Sequence, residues 1–313
     1  MNTELLYGAL KRKILLLDGG FGTQLQEAGW TGCPDLASLE NPGVVRAIHE
    51  KYLDAGSDLI ETNSFGANAI SLEGYGLEKE AYSIAYAAAK VASEAAAAYT
   101  ASNPEKPRFV VGSMGPTSKS ATLAPLMDDP VTPEDFENAY YDQARGLVDG
   151  GADILMIETV IDSLNARLAL SAIRKVSREK GVEIPVMVSA SLTDSIGRLL
   201  SGESVEELYA LLKDEHLLSV GLNCSMGAGL LLPFVERLSA VAETMVSVHP
   251  NAGLPNLQGG YDETPEMFAA EMRKMMEAGL VNIAGGCCGT TPEHIRHLAA
   301  FVRECPPRPL PGE

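Results

Sequence analysis

Positive charge is scarce in this sequence. Of its 313 residues, 24 are Lys or Arg and 42 are Asp or Glu, a formal charge of −18 at pH 7. Nucleic-acid phosphates and anionic membrane surfaces both demand a basic footprint, so neither is an expected partner. Long hydrophobic runs are missing too. No uninterrupted stretch of about 18 apolar residues occurs, and nothing is expected to span a bilayer. The apolar run near the N-terminus ends in Asp18 without a small-residue cleavage site, so no secretory leader is expected and a cytoplasmic location is. Low-complexity tracts are absent, and with 21% charged residues the chain is expected to be ordered.

Cysteine is sparse and odd in number: Cys33, Cys224, Cys287, Cys288 and Cys305. An odd count in a cytoplasmic chain speaks against a disulfide framework. Two of the five are adjacent, and adjacent cysteines rarely pair with each other. The question becomes what a cluster in the last third of the chain is for.

The length permits one large α/β barrel or two ordinary domains of roughly 100–200 residues each. Periodicity favours the barrel. Short apolar runs at 13–17, 59–61, 109–112, 154–157, 186–189, 219–222, 245–248 and 281–284 read as eight strands buried on both faces. Helix signals lie between them. Thr132-Pro133, Thr264-Pro265 and Thr291-Pro292 each set an N-cap hydroxyl before a proline, and Ser204 with Glu207 reads as a capping box. The Ala-rich run 80–99 is strongly helical, and Gly56, Gly151 and Gly279 each end a helix before a strand. Segment 54–62 (DAGSDLIET) is echoed in 149–159 (DGGADILMIET), as repeated αβ units would be. The expected fold is a single (β/α)8 TIM barrel over residues 1–304, with 305–313 (CPPRPLPGE) as a Pro-rich tail or linker.

In such a barrel the chemistry lies at the C-terminal ends of the strands. There the sequence places Asp18 with the glycine loop Gly19 to Gly22, Glu61 to Gly66, Glu158-Thr159, Asn223-Cys224-Ser225, His249 to Gly253, and Gly285-Gly286-Cys287-Cys288-Gly289. Cys224, Cys287 and Cys288 thus share one face. Three thiolates there make a soft, tetrahedral, zinc-favouring site with one position open for substrate; the alternative is three buried structural cysteines. Cys33 and Cys305 read as structural. Zinc with three thiolates carries a net negative charge, which suits activation of a substrate thiol for alkyl transfer better than generation of hydroxide. Asp18 and Glu158 are candidates for binding an ammonium group, and the Gly19 to Gly22 amides for a carboxylate. No Walker lysine follows that loop, which weakens a phosphate reading. His49 and His216 read as ordinary helix residues, His294 and His297 as solvent-facing, and His249 as structural.

At these residues the sequence resembles the homocysteine S-methyltransferase family across nearly its whole length. The signature is Gly221-Leu-Asn-Cys224 with Gly285-Gly-Cys-Cys-Gly289-Thr-Thr-Pro, joined by Asp18-Gly-Gly-Phe-Gly-Thr, Glu61-Thr-Asn-Ser-Phe and Met156-Ile-Glu-Thr159. Pro250-Asn-Ala-Gly-Leu-Pro-Asn256, Tyr261-Asp-Glu-Thr-Pro265 and Gly197-Arg-Leu-Leu-Ser-Gly202 resemble one branch, the homocysteine-binding domain of cobalamin-dependent methionine synthase. The resemblance implies Zn2+ held by Cys224, Cys287 and Cys288, with the homocysteine sulfur in the fourth position and Asn251 there when substrate is absent. It implies that Asp18 and Glu158 hold the substrate amino group, with Phe21 and Asn63 beside it, and that methionine is the product. Such synthases continue into folate-, cobalamin- and reactivation domains. The sequence holds none of these, so the expected donor is methylcobalamin, a corrinoid carried on a separate protein or domain. A homocysteine methyltransferase using betaine or S-methylmethionine, and a non-catalytic homocysteine-binding module, are the alternatives.

Overall fold

The computed structural model describes residues 3–128 and 130–311. Eight strands alternate with helices: β1 (Leu15–Leu16), β2 (Leu59–Glu61), β3 (Phe109–Met114), β4 (Ile154–Val160), β5 (Val186–Ala190), β6 (Ser219–Gly227), β7 (Met245–Asn251) and β8 (Ile283–Ala284). Every hydrogen-bonded pair is parallel, in the order β1-β8-β7-β6-β5-β4-β3-β2. The expected (β/α)8 barrel is what forms. Its seam, between β1 and β2, is closed largely by side chains. The Asp58 amide donates to Leu16 O at 2.7 Å, the Leu16 amide to Asp58 Oδ2 at 3.1 Å, and the Glu61 amide to Asp18 Oδ2 at 3.0 Å.

Strand alternation builds two cores. On β4, Ile154 and Met156 face inward while Leu155 and Ile157 pack beneath the helices; on β7, Met245 faces inward and Val246 and Val248 outward. The inward set, with Leu15, Leu17, Leu59, Phe109, Val111, Met187, Leu218 and Ile283, fills the lower barrel. Leu6, Ala9 and Leu10 of the helix Thr3–Leu10 join the same cluster. That helix was not foreseen from the sequence. Higher up the inward positions turn polar: Ser113, Glu158, Ser189, Asn223, Ser247 and His249, all buried. An apolar floor therefore carries a polar layer facing the C-terminal mouth.

Two strands approach so closely that one position admits no side chain. A Cβ on Gly221 of β6 would lie 2.1 Å from Ser247 Oγ and 2.3 Å from Ser247 O on β7. Gly221→Ala is expected to lose about 1–3 kcal/mol of stability through overpacking. Denaturant unfolding measures it, and an unchanged midpoint would show that the two strands can part without cost.

The expected caps are present. Thr132 with Asp135 and Ser204 with Glu207 form capping boxes, and Thr264 caps Pro265–Glu277. His294 is a correction. Expected in solvent, it is buried, because Nδ1 accepts from the Thr291 amide to cap Pro292–Phe301 and Nε2 meets Glu263 O at 3.0 Å. His49 lies buried in the helix Pro42–Ala55 against Phe21, and His216 ends a helical turn at φ 51°. The stretch from Cys305, expected as a tail or linker, lies against the barrel through Leu310 and Arg308. Gly312 and Glu313 fall outside the described residues. None of the described helices is long and apolar enough to cross a membrane.

Candidate functional site

The polar layer opens into a cavity of about 560 Å³ at the C-terminal mouth, lined by Cys224, Cys287, Cys288, Glu61, Glu158, Phe21 and Asn63 among others. Two irregularities aim its walls. The β4–β5 register shifts between Ile157 and Val160, and the β6–β7 register between Cys224 and Gly227. Such bulges re-aim side chains at barrel rims. Within them Thr159, Cys224 and Ser225 adopt φ of 53°, 56° and 54°, an expensive conformation for residues with side chains.

Asn223 holds this conformation in place. Its Oδ1 accepts from the Thr159 amide at 2.9 Å and from Ser189 Oγ at 2.8 Å; its Nδ2 donates to Thr159 Oγ1 at 2.8 Å and to Glu158 Oε2 at 3.4 Å. One buried amide thus ties the β4 tip to the β6 tip, next to Cys224.

Cys287 and Cys288 follow β8 through Gly285 and Gly286. The Cys287 amide donates to Pro250 O at 2.7 Å, the Ala252 amide to Cys288 O at 3.0 Å, and Thr290 Oγ1 to Cys287 O at 2.7 Å. A Cβ on Gly286 would lie 2.3 Å from Thr290 Oγ1, so glycine is required for this closeness. The loop carries the two sulfurs to Cys224. Cys224 Sγ lies 3.9 Å from Cys288 Sγ, Cys287 Sγ lies 4.0 Å from Cys288 Sγ, and all three sulfurs fall within 4.8 Å of one another. Cys287 and Cys288 stabilise a thiolate on Cys224 and hold it well below the usual thiol range. The same contact pushes Cys287 up, and Cys288 up to about 11. Cys33 and Cys305 are buried elsewhere, and all five cysteines are free.

Asn251, at the end of β7, hydrogen-bonds Cys224, while its Oδ1 is buried without a partner. Tyr261 donates to Cys288. Sequence reasoning did not single out Tyr261, although it lies in a segment that carried the resemblance.

The carboxylates form the second half of the site. Glu158 accepts from Ser113 Oγ and is raised to about 7, chiefly by burial. Glu61 hydrogen-bonds Glu158 and is also raised, by burial and then by the Glu158 charge. Asp18 is 0% exposed, with Oδ2 on the Glu61 amide and Oδ1 unpartnered. His249, 1% exposed, has both ring nitrogens unpartnered and is held down to about 4 by burial. One of its ring nitrogens and one carboxylate oxygen each of Glu61 and Glu158 lie within 4.8 Å of one another. Of the expected substrate contacts, Glu158, Phe21 and Asn63 line the cavity, and the Asn63 amide already donates to Pro34 O and Ser38 Oγ. Glu61 was missed as a site residue. The echo between segments 54–62 and 149–159, which aligns Glu61 with Glu158, was the available signal.

A (β/α)8 barrel with strained strand tips and buried titratable groups around a mouth cavity has the build of a barrel enzyme. Its relatives specify which kind. Residues 15–302 match the homocysteine S-methyltransferase family, and the chain belongs to that family. In structure it is similar to the homocysteine methyltransferase MmuM of Escherichia coli. The metallated form has a TM-score of 0.76 and 26% identity, over 96% of this chain and 99% of that one. The apo form of MmuM gives 0.70 and 25%, over 93% and 96%. The carboxyl transferase domain of Rhizobium etli pyruvate carboxylase, at 12% identity and a TM-score of 0.51, shares the fold alone over 96% of this chain and 49% of that one.

Proposed function

We propose that this protein transfers a methyl group to the thiol of homocysteine, giving methionine, with zinc held by Cys224, Cys287 and Cys288. The sulfur spacing carries the reading. A tetrahedron with zinc–sulfur bonds of about 2.3 Å has edges near 3.8 Å, and Cys288 Sγ lies 3.9 Å from Cys224 Sγ and 4.0 Å from Cys287 Sγ. The unpartnered Asn251 Oδ1 beside Cys224 supports Asn251 as the occupant of the fourth position in the substrate-free state. Zinc bound there lowers the pKa of a coordinated substrate thiol.

The protein's own side chains do the rest. Glu158 and Asp18 hold the substrate ammonium, Phe21 and Asn63 flank it, and the strained β4 and β6 tips orient the substrate thiol for in-line attack on the methyl group, which the donor gives up as its leaving group. Tyr261 fixes Cys288 from outside. Tyr261→Phe is expected to weaken zinc affinity about 10- to 100-fold, as loss of a hydrogen bond to a metal ligand does. Competition with a chromophoric chelator reads this directly, and unchanged affinity would leave Tyr261 without that role.

The donor assigned is a methylcorrinoid carried on a separate protein or domain. Leu123, Leu126 and Met127 after β3, Ile196 and Leu200 after β5, and Leu254 and Leu257 after β7 are exposed at the mouth, as a docking rim would be. The five unpaired cysteines support a cytoplasmic setting. The test supplies zinc-loaded protein and homocysteine with methylcobalamin, a methylated corrinoid protein, betaine or S-methylmethionine. Methionine is expected from the corrinoid donors. Turnover with betaine or S-methylmethionine alone would reassign the donor, and turnover with none would leave a homocysteine-binding module.

A further inference from the structure

We propose that the foot of the β1–β2 seam binds one compact, doubly charged oxyanion, a phosphate group, on the face of the barrel opposite the three cysteines. The site does not depend on which substrate the mouth takes. The residues just before three strands build it. Lys13 precedes β1, Asp58 precedes β2 and Lys106 precedes β3; Arg303, in the turn Val302–Glu304 that follows the helix Pro292–Phe301, completes the wall. Together they line a cavity of about 50 Å³. One water needs about 10–15 Å³ of such space, so the cavity takes about four water-sized groups. That is the oxygen count of a single phosphate.

The charge balance sets the sign of the ligand. Acidic residues outnumber basic ones in this chain, and elsewhere a cation has a carboxylate to itself, as Arg237 has Glu206 and Arg174 has Glu215. At the seam three cations share one. Lys13 Nζ lies 2.7 Å and Lys106 Nζ 3.8 Å from the same oxygen, Asp58 Oδ1, while Asp58 Oδ2 is taken by the Leu16 amide. Arg303 has no hydrogen bond or ion pair among the described residues. Arg108 brings a fourth positive charge close to Lys106, and its Nε is buried without a partner. Lys106 donates to Gly56 O at 2.7 Å and is pushed down to about 8, first by burial and then by Arg108, Lys13 and Arg303 against the pull of Asp58.

A half-buried cluster of like charges is unfavourable by itself, and an anion among them relieves it. Two negative charges balance the three lining cations once Asp58 is counted. The guanidinium offers a planar pair of donors and the two ammonium groups act as point charges, the set that recognises phosphate. Free phosphate and a phosphomonoester present the same head to it. The consequence is mechanical as well. The seam is the one place where the barrel closes largely through side chains, and an anion held by Lys13, Lys106 and Arg303 ties β1 to the approach to β3 and to the C-terminal turn. Binding there stabilises the folded chain by mass action.

Thermal unfolding and calorimetry of the zinc-loaded protein at constant ionic strength test this, with inorganic phosphate, glycerol 3-phosphate and chloride as the probes. Phosphate is expected to raise the unfolding midpoint by several degrees and to saturate, with a Kd on the order of 1 mM, while chloride does neither. Saturation matters because phosphate excluded from the protein surface also stabilises, without a plateau. Arg303→Ala removes an exposed, unpaired side chain that the fold does not use, and is expected to weaken phosphate about 10-fold. Lys106→Met is expected to weaken it at least as much. Lys90→Ala, on the exposed face of the helix Ala81–Ser102, is expected to keep the full response. Tighter binding of glycerol 3-phosphate than of phosphate would assign the site to a phosphomonoester, and the reverse to the free ion. A rise without a plateau, the same in Arg303→Ala as in wild type, would mean an adventitious ion only and overturn the proposal. Saturable binding that neither Arg303→Ala nor Lys106→Met weakens would overturn its place at the seam.

Discussion

Cys287→Ala is expected to lose bound zinc and to lower methyl transfer to homocysteine by a factor on the order of 1,000 or more. Loss of a hydrogen bond to a ligand alone costs about 10–100-fold in metal affinity, and loss of a ligand costs more. The physical reason is local. The three sulfurs come together only because the Gly285-Gly286 turn, the Pro250 carbonyl and the Thr290 hydroxyl fix the loop that presents Cys287 and Cys288 to Cys224. Two remaining thiols do not hold a tetrahedral ion open on one side for substrate. Elemental analysis of the purified variant and single-turnover assays give the two readouts. Cys33→Ala and Cys305→Ala serve as controls and are expected to keep full zinc content, because both thiols lie outside the cavity. Cys287→Ala with wild-type zinc and activity would end the metal assignment.

Arg308→Ala is expected to destabilise the barrel by about 4 kcal/mol without touching the active site. The guanidinium is buried among neutral acceptors: Nε donates to Ser239 Oγ at 2.8 Å, Nη1 to Thr244 O at 3.1 Å, and Nη2 to Ser239 O at 2.8 Å and to Ala242 O at 2.6 Å. Its backbone amide donates to Val281 O at 3.1 Å, and its carbonyl accepts from Asn282 Nδ2 at 2.8 Å, which joins the C-terminal stretch to β8. A hydrogen bond to a charged group contributes about 1.5–3 kcal/mol. Four of them sharing one side chain are not additive, which sets the figure near 4. Thermal unfolding is expected to fall by roughly 5–10 °C for a chain of this size. A shift below about 1 kcal/mol in denaturant unfolding would show that the stretch after Cys305 adds nothing to the fold.

The strands were legible because their alternation with helices is local. Leu59–Glu61 coincides with its expected bounds, and β3, β4, β6 and β7 only extend further at their C-terminal ends. Those extensions carry the site, where bulges and positive φ at Thr159, Cys224 and Ser225 break the pattern that propensity reads. The sulfur-bearing positions were legible for a different reason: a Cys-Cys pair in a glycine-rich strand end is rare and chemically loud. Glu61 was not, because one carboxylate at a strand tip looks like any other until its neighbours are known. His294 looked exposed because its helix is amphipathic; only the packed Glu263 carbonyl and the Thr291 amide explain its burial. Pro-rich composition disguised residues 305–311 in the same way.

Pattern and composition were enough for the barrel and for three cysteines at one end of it, since the first follows from short apolar runs alternating with helix signals and the second from their place just after strands. Only the folded chain shows that Cys288 Sγ stands 3.9 and 4.0 Å from the other two sulfurs, that Asn223 ties β4 to β6, and that Glu61 lies against Glu158 at the cavity wall. The reason is physical. Secondary structure answers to neighbours three or four residues away, whereas charge balance and metal geometry answer to distances of a few ångströms between residues as much as 270 positions apart, as between Gly20 and Thr290.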